Sequence, residues 1–397
     1  MISECLVRSQ PSTKSGRGLK IAYVHNYYIG YRLPFFEKLA KLFEIMFFFD
    51  QIDNSTTVRQ CFFPCTVLTS IQVLKSSVYD LTWSPTLLFH LLKGKYHFFI
   101  GSGIGHIGTI VTFGIARLLR KPFVLWNEGW YYPTTFLRSL RQPLFNMLIK
   151  RSTAFVVPGL KAREFFLKCG VDPEKIFVAP NASSVIINDG IMSETSELKE
   201  MLGISGKIVV LYFGRLVRRK GVSVLIKAFS KLQNEMNNSV LVIAGEGEQR
   251  EELENLCLRL KAKNVIFVGY VDENEKGMYY SMADLFVLPS IAHSGEVWDL
   301  VINEAMSLGK PVISTNAAGA SHDMIKDGIN GYIVKEGDVE ALFKTIRKML
   351  KNPERMRKMG LESKKIAEND FSFNNMVRGF VKAIRYSVTQ FDYNSDD

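Results

Sequence analysis

The sequence predicts an α/β protein built from two parallel-sheet domains of similar size. Short runs rich in β-branched and aromatic residues alternate with helical stretches along the whole chain, a pattern typical of parallel-sheet units. At 397 residues, the chain is also too long for one ordinary core. Finally, a polar stretch, "NDGIMSETSELKEMLGISG", separates two sets of strand candidates. Together these observations favour two domains joined by a linker.

Each half of the chain contains six strand candidates. In the first half they are "KIAYVH", "FEIMFFFD", "YHFFIG", "PFVLWN", "TAFVVP" and "KIFVAP". In the second half they are "KIVVLYF", "VLVIAG", "NVIFVG", "DLFVLPS", "PVIST" and "GYIV". Glycine often ends the helices between them, as Gly170 does after "LKAREFFLKC". The uncharged window Tyr96–Ala116 is interrupted by glycines, so it predicts a buried strand, loop and helix rather than a membrane span.

These signals predict five segments along the chain. They are a flexible basic tail at 1–18, a Rossmann-like domain at 19–187, a linker at 188–206, a second Rossmann-like domain at 207–370, and a C-terminal helix at 371–397 that can cross back to the first domain. Ligands of such sheets bind at the carboxyl ends of the strands, so two facing sheets would form a cleft between the domains.

Composition narrows the partners and the compartment. The net charge of +11 favours acidic partners such as nucleotides or anionic lipid, while no nucleic-acid-binding module is recognisable. The five cysteines are scattered and odd in number, which argues against a disulfide framework. Cys61 and Cys65 are interpreted as packing residues rather than as a metal or redox pair. Because residues 1–18 contain no apolar signal region, we expect a cytoplasmic protein.

One candidate site is a glycine fingerprint in the first half. "GSGIGHIG" places Gly103, Gly105 and Gly108 in G-x-G-x-x-G spacing after a strand, and Glu128 ends the next strand. This pattern suggests an alternative function, a nucleotide-dependent oxidoreductase. Against it, a complete β–α–β segment comes first, whereas the fingerprint usually opens its domain. The other interpretation is a tight turn at the edge of a cleft, with His106 near a helix start.

A second candidate site lies at strand ends in the second half. In "YFGRLVRRKGVSVLI", Gly214 and Gly221 allow close backbone approach, while Arg215 and Lys220 supply two cations beside a helix start. Cations and a helix N-terminus together favour phosphate binding. The next two strands also end in loops, "AGEGEQ" with Gly245 and "GYVDENEK".

Two glutamates follow the fourth strand of that half, in "SGEVWDLVINEAMSLGKPV". The helix is predicted to begin near Asp299 or Leu300, which puts Glu296 in the loop and Glu304 about one turn inside the helix. Had all nine residues been helical, the two carboxylates would lie roughly 80° apart around the axis. A loop followed by a helix lets both address one ligand.

At this point the chain resembles glycosyltransferase family 4, retaining enzymes of the GT-B fold that take a sugar from a nucleotide donor. The resemblance covers most of residues 20–390. It is carried by "FGRLVRRKG", "AGEGEQ", "FVLPS…E-x7-E…AMSLGKPVIST" and "IKDGINGYIVKEGDVEAL" in this order, and by "VVPGLKAREFF…GVDPEKIFVAPNAS" before them. It implies an acceptor domain and a donor domain that face each other across a cleft.

The resemblance also implies roles for individual residues. Arg215 and Lys220 would hold the donor diphosphate and stabilise its growing negative charge. Glu304 would accept hydrogen bonds from the ribose hydroxyls, and Glu296 would lie beside the transferred sugar. The remaining donor-binding candidates are backbone groups at the helix start, glycine loops and neighbours of the base: Asp299, Leu300, Val301, Gly30, Gly214, Gly245, Tyr270 and Val271.

Two departures from the family pattern bear on catalysis. Where the family often has E-G-F-G-L, this chain has Glu296, Val297, Trp298, Asp299 and Leu300. Asp299 is a good helix N-cap, so its carboxylate could occupy the N–H groups that a phosphate needs. We hypothesise that it either turns away to contact a sugar hydroxyl or weakens donor binding. A histidine that many relatives place near the "YHFFIG" strand is missing, and His106 is the nearest substitute.

The expected reaction is retaining hexosyl transfer to a glycan or lipid-linked saccharide. No metal is required, because positive side chains and helix ends would replace it, and the sequence contains no Asp-x-Asp pair. No cofactor is expected beyond the nucleotide-sugar substrate. The segments "FFEKLAKLF" and "ARLLRKPF" suggest peripheral contact with an anionic membrane, on its inner face. A non-catalytic sugar-nucleotide-binding relative is the other alternative, because of the changed glycines.

Overall fold

The chain forms two parallel sheets and a small hairpin. The computed structural model describes residues 18–52, 63–75, 80–129, 136–183, 185, 187, 190–233, 235–291 and 298–393. Strands from the first half of the chain build one sheet and strands from the second half build the other. The predicted α/β class is therefore confirmed.

All twelve segments predicted as strands contain one. The strands of the first half are β1 (Lys20–Tyr28), β2 (Glu44–Ile52), β3 (Cys65–Val67), β4 (Ile71–Lys75), β5 (Asp80–Trp83), β6 (Phe98–Ser102), β7 (Phe123–Trp126), β8 (Ala154–Val157) and β9 (Ile176–Val178). Those of the second half are β10 (Ile208–Phe213), β11 (Ser239–Ala244), β12 (Val265–Gly269), β13 (Leu285–Leu288), β14 (Val312–Thr315) and β15 (Gly331–Val334). The sequence did not predict β3, β4 and β5.

Helices connect most of these strands. The helices of the first half are α1 (Leu33–Ala40), α2 (Pro85–Lys93), α3 (Ile107–Leu118), α4 (Phe136–Arg151) and α5 (Leu160–Lys168). Those that follow are α6 (Ile191–Met201), α7 (Val222–Ser230), α8 (Arg250–Leu260), α9 (Lys276–Met282), α10 (Leu300–Ser307), α11 (Ser321–Met324), α12 (Val339–Leu350), α13 (Pro353–Asp370) and α14 (Phe373–Tyr393). None of the described helices combines the length and the hydropathy that crossing a membrane needs.

The strand order of each sheet locates its ligand crevice. The first sheet runs β3-β2-β1-β6-β7-β8-β9 and the second runs β12-β11-β10-β13-β14-β15, with parallel pairing throughout both. The chain changes direction along the sheet between β1 and β6, and again between β10 and β13. Crevices for ligands open at the carboxyl ends of strands at such switch points.

Both faces of the first sheet are covered. One face packs against α1 and α14, with the rings of Tyr23, Phe36 and Phe380 in one aromatic cluster. The other face packs against the α2–α5 layer, including Phe113 and Phe166. Because the strands are buried on both sides, they consist of nearly continuous apolar residues, which made them recognisable.

Residues 190–206 lie in the segment interpreted as a linker, and part of it is regular structure. Residues 191–201 form helix α6, and Leu198 and Ile204 are buried in the core of the second domain. This stretch therefore packs as a component of that domain. Other interpretations fall on residues that the structure leaves undescribed: the tail at 1–17, residues 188–189 of the linker, and Cys61. Cys65 lies on β3 and forms no disulfide with any described residue.

Candidate active site

The second sheet places the predicted anion-binding residues at its switch point. Arg215 follows the carboxyl end of β10, and Asp299 lies in the connection between β13 and α10. These two strands are neighbours in the sheet although they are not consecutive in the chain. The loops after them therefore line the crevice in which α/β folds bind ligands.

Two predicted glycines are required by close contacts between these loops. Gly245 has φ +136°, and a Cβ built on it would lie 2.0 Å from the carbonyl oxygen of Gly214. Gly221 has φ +65°, and its Cβ would lie 2.1 Å from the carbonyl oxygen of Pro289. From the sequence, such glycines were expected to let a ligand approach, but packing of backbone against backbone already excludes a side chain here.

The two predicted cations differ in their surroundings. Arg215 is exposed, and its guanidinium makes no hydrogen bond or ion pair with the part of the chain that the structure describes. Lys220 ends a short 3-10 turn, Arg218–Lys220, and its Nζ lies 2.5 Å from Oδ1 of Asp299. The side chains of Lys220 and Asp299 are 12% and 2% exposed. One cation is thus open to a ligand, whereas the other already has an internal carboxylate partner.

Asp299 does not cap the helix with its side chain, as the sequence had suggested it could. It occupies the N-cap position of α10 with extended backbone, and the cap makes no side-chain hydrogen bond. Its carboxylate is directed at Lys220 instead. A nearly buried ammonium group needs an opposite charge, and this requirement decides the rotamer. The N–H groups of Leu300 and Val301, in the first turn of α10, are consequently not occupied by this carboxylate.

Glu304 is held by hydrogen-bond donors from three directions. The Tyr280 hydroxyl donates to its Oε2 at 2.7 Å, while Ser183 Oγ and Lys276 Nζ contact Oε1 at 3.1 and 3.4 Å. Glu304 is 3% exposed. Burial, followed by the charge of Glu304, raises the pKa of Tyr280 well above its ordinary value, so this hydroxyl stays protonated and keeps donating.

Lys276 is a half-buried cation beside this carboxylate. Burial lowers its pKa, but the charges of Glu304 and Glu273 outweigh burial and raise it overall. Its Nζ lies 2.8 Å from Oε2 of Glu273. Lys276 and Tyr280 could not be recognised from the sequence, because their contacts with Glu304 depend on how α9 lies beside α10.

The other predicted donor-binding residues occupy different positions. Tyr270 and Val271 follow β12, and Tyr270 is exposed whereas Val271 is buried. Gly30 begins a 3-10 turn, Gly30–Arg32, at the carboxyl end of β1 in the first domain. Glu296 lies outside the described residues. The structure thus brings Arg215, Lys220, Asp299 and Glu304 to the loops and helix start that surround one switch point, and Gly30 belongs to the opposite domain.

His106 lies at the carboxyl edge of the first sheet, but it is already bonded within the protein. It precedes α3, and its Nε2 lies 2.7 Å from Oδ2 of Asp50, at the end of β2. A sugar hydroxyl would have to compete with this carboxylate for Nε2. Asp50 was not predicted as a site residue, although a polar residue that ends the run "FEIMFFFD" is the kind of signal that marks a strand end facing a cleft.

A second cluster of polar side chains, formed by Arg32, Glu128 and Asn181, lies at the same edge. Arg32 Nη2 donates to Oε1 of Glu128 at 2.5 Å, and Asn181 Nδ2 donates to the same oxygen at 2.8 Å. Burial, and then the charge of Arg32, lowers the pKa of His25, which therefore stays neutral beside this cation. In the oxidoreductase alternative Glu128 would bind a ribose, but here the protein's own donors occupy that carboxylate.

Hydrogen bonds join the two domains next to the candidate site. Asn303 of α10 donates from Nδ2 to the carbonyl oxygen of Asn181, and Ser183 contacts Glu304 as described above. Further away, the backbone N–H of Leu160 donates to Oδ1 of Asp323 at 3.0 Å. Burial raises the pKa of Asp323 to about 6, although the bond from Leu160 opposes the rise. The segment 179–183 thus connects the edge of the first sheet with α10.

Known proteins share this sequence pattern and this fold. Residues 194–366, which include Arg215 and Glu304, match the family model of glycosyl transferases group 1. The second domain is thus similar to glycosyl transferases group 1 over most of its length. Membership of the narrower glycosyltransferase family 4 remains a prediction.

Two curated relatives show how far the similarity extends. The chain is 28% identical over 225 residues to an uncharacterized glycosyltransferase of Methanocaldococcus jannaschii, covering 54% of this chain and 56% of that protein. It is also 28% identical over 197 residues to a GDP-mannose-dependent alpha-(1-6)-phosphatidylinositol monomannoside mannosyltransferase of Mycolicibacterium smegmatis, covering 48% of each. The chain thus spans about half the length of these relatives.

A solved structure matches over almost the whole molecule. HepE of Anabaena, crystallised with UDP, has a TM-score of 0.75 and 19% sequence identity over 92% of this chain and 99% of its own. HepE has also been crystallised with UDP and glucose and with UDP-glucose. At this identity the likeness concerns the fold alone, and it confirms the GT-B fold that the resemblance had implied.

Proposed function

We propose that this chain transfers a hexose from a nucleotide-diphosphate sugar to a glycan or a lipid-linked saccharide, with retention of configuration and without a metal ion. The observation that carries this proposal is the convergence of Arg215, Lys220, the start of α10 and Glu304 on the switch point of a domain similar to glycosyl transferases group 1. Each group suits one part of such a donor.

The diphosphate is assigned to the cationic side of the crevice. Arg215 is exposed and can turn towards a phosphate oxygen, while the N–H groups of Leu300 and Val301 lie at the positive end of α10. These groups would stabilise the negative charge that develops on the diphosphate as the sugar leaves. Lys220 would contribute as well, once its bond to Asp299 is shared or exchanged. Fixed positive groups of this kind would stabilise the diphosphate charge that a bound metal ion stabilises in other enzymes.

The ribose is assigned to Glu304. An ionised carboxylate offers about four acceptor sites, and the side chains around Glu304 direct three donors at them. Tyr280 holds Oε2 in place with a short bond. On Oε1, the longer contacts from Ser183 and Lys276 can give way to a ribose hydroxyl. Glu296, which lies outside the described residues, is assigned to the transferred sugar.

The similarity to known proteins supports the donor class. HepE was crystallised with UDP-glucose, and the mycobacterial relative is named for its use of GDP-mannose. Both molecules are nucleotide-diphosphate hexoses. The mycobacterial relative is also named for a phosphatidylinositol monomannoside, which supports a lipid-linked saccharide as one acceptor class. A role in polysaccharide or glycan biosynthesis, in the cytoplasm at the inner face of the membrane, agrees with this assignment.

The proposal is tested by donor binding and then by turnover. A thermal-shift screen against nucleotide sugars identifies a donor, because a ligand of the folded state raises its melting temperature. Arg215→Ala should remove most of this shift, whereas Arg259→Ala, an exposed arginine on α8, should leave it unchanged. Transfer with the identified donor in the presence of a chelator tests metal independence, and NMR of the anomeric proton in the product tests retention. A melting temperature that no nucleotide sugar changes would contradict the proposal.

A further inference from the structure

The charge of the first domain is distributed very unevenly. Residues 81–163 contain 11 lysines and arginines but only one acid, Glu128. That acid accepts hydrogen bonds from Arg32 and Asn181, so it is committed inside the domain. This segment supplies α2, α3 and α4, which lie on one face of the first sheet. The outer surface of this helical layer is therefore strongly basic.

Large apolar side chains are exposed on the same surface. On α2, Leu88, Phe89 and Leu92 are 43%, 60% and 45% exposed, and at the end of α3, Leu118 and Leu119 are 72% and 38% exposed. Helices α2 and α3 pack against each other, so these five residues belong to one surface. We call it the α2–α3 face. Exposed apolar side chains grouped in this way usually mark an interaction surface.

Cations accompany this apolar group. Four exposed ones, none of which forms an ion pair with any described residue, are Lys93, Lys95, Arg117 and Arg120. Lys93 Nζ lies 5.3 Å from the centre of the Phe89 ring. Lys95 and Arg120, just after the two helices, have φ of +52° and +50°, a left-handed conformation that glycine or asparagine would adopt more easily. Both turns nevertheless carry a basic side chain.

The other segment that suggested membrane contact is occupied inside the molecule. In "FFEKLAKLF", Phe35, Phe36 and Leu39 of α1 are completely buried, and Phe35 and Phe36 belong to the cluster that α14 covers. In "ARLLRKPF", by contrast, Leu118 and Leu119 are exposed. The structure therefore separates two segments that the sequence treated alike.

We propose that the α2–α3 face docks this protein on an anionic lipid bilayer. Leu88, Phe89, Leu92 and Leu118 would enter the boundary between head groups and acyl chains, and the cations around them would contact lipid phosphates. Charge complementarity favours this partner, because basic residues near a membrane attract anionic lipid and apolar side chains add the second signal that stable attachment needs. The α2 and α3 C-termini precede β6 and β7, so this docking leaves the carboxyl ends of the strands, where the candidate site lies, uncovered. The reason for docking at a membrane rests on the proposed function, but the docking itself does not.

Sedimentation with vesicles tests this inference. The full chain should sediment with vesicles of phosphatidylcholine mixed with phosphatidylglycerol at low salt, and remain in the supernatant with phosphatidylcholine alone. The variant L88S/F89S/L92S should lose most of the bound fraction. The variant K93Q/K95Q/R117Q/R120Q should bind at least 100-fold more weakly, since each basic residue near an anionic surface contributes roughly fivefold. As a matched control, L258S/L361S changes two exposed leucines of the second domain and should sediment like the unaltered chain.

Several outcomes would overturn the inference. It fails if the unaltered chain stays in the supernatant with anionic vesicles, or if the L88S/F89S/L92S variant and the control sediment equally. The face would instead belong to an interface between two copies of the chain under two conditions: the unaltered chain does not bind vesicles, and it dimerises in sizing experiments in a way that L88S/F89S/L92S abolishes. Melting temperatures confirm that each variant is folded. If the chain binds vesicles but no nucleotide sugar, the proposed function is refuted and the inference about the α2–α3 face is not.

Discussion

The buried pair of Lys220 and Asp299 leads to the most specific prediction. Its Nζ–Oδ1 distance of 2.5 Å corresponds to a gross attraction of roughly 6–7 kcal/mol at an effective dielectric constant of about 20. Desolvation offsets much of this attraction. Removing one partner of such a pair nevertheless destabilises a protein by about 3–5 kcal/mol, because the other charge is left buried and unpaired.

Asp299→Asn therefore has two opposite effects. Without donor, we expect the free energy of unfolding to fall by about 3 kcal/mol, since Lys220 loses its counter-charge. When the donor binds to the variant, its diphosphate supplies that negative charge and does not have to compete with the Asp299 carboxylate for Lys220. We expect the dissociation constant for a nucleotide-diphosphate sugar to fall by roughly tenfold, which is about 1.4 kcal/mol. The shift in melting temperature at saturating donor should consequently be larger for the variant than for the unaltered chain.

Titration calorimetry, together with thermal unfolding with and without donor, measures both effects. Asp338→Asn is the matched control: Asp338 also occupies a helix N-cap, but its side chain accepts a hydrogen bond from the N–H of Ala341 instead of pairing with a lysine. Donor affinity should not change in this control. Unchanged affinity in Asp299→Asn would show that the donor never meets Lys220, and weaker affinity would show that Asp299 itself binds the donor. Either result would refute the reasoning.

Three further predictions concern other parts of the molecule. Glu304→Gln should weaken donor binding by about 1.5–3 kcal/mol in calorimetry, because hydrogen bonds to a charged acceptor are lost; unchanged affinity would remove Glu304 from the site. Gly245→Ala should lower the free energy of unfolding by about 3 kcal/mol or more, since its Cβ would clash with the carbonyl oxygen of Gly214; an unaltered melting temperature would contradict this packing. Burial raises the pKa of Asp323 from 3.8 to about 6, so the folded state binds the extra proton and stability should rise as pH falls from 7 towards 4. Asp323→Asn should be more stable than the unaltered chain by up to about 3 kcal/mol at pH 8, with the difference vanishing near pH 4; a difference independent of pH would exclude this origin.

Much of the fold could be predicted because its strands are buried on both faces. A strand such as β10 or β11 consists almost entirely of apolar residues and is bounded by glycine, so a local pattern suffices to recognise it. The three strands that were missed differ in this respect. β3 is short and only partly buried, while β4 and β5 pair with each other outside both main sheets.

The candidate site could be predicted only as far as its position along the chain. The start of α10 at Leu300, with Asp299 as N-cap, agrees with the sequence prediction, because a helix start depends on neighbouring residues. The direction of the Asp299 carboxylate, by contrast, does not depend on neighbouring residues and could not be predicted. It is decided by Lys220, which lies 79 positions away along the chain and comes close only when β10 and β13 pair.

By itself, the sequence determined the α/β class, the positions of twelve strands along the chain and the residue types available at their ends. These properties depend on hydrophobic periodicity and turn chemistry, which act over a few residues. Only the tertiary structure decided which charges neutralise each other, as Lys220 does with Asp299 and Arg32 with Glu128. It also decided that α1 is buried whereas α2 exposes Phe89. Partner choice and burial depend on contacts between segments far apart in the chain, and no local pattern encodes them.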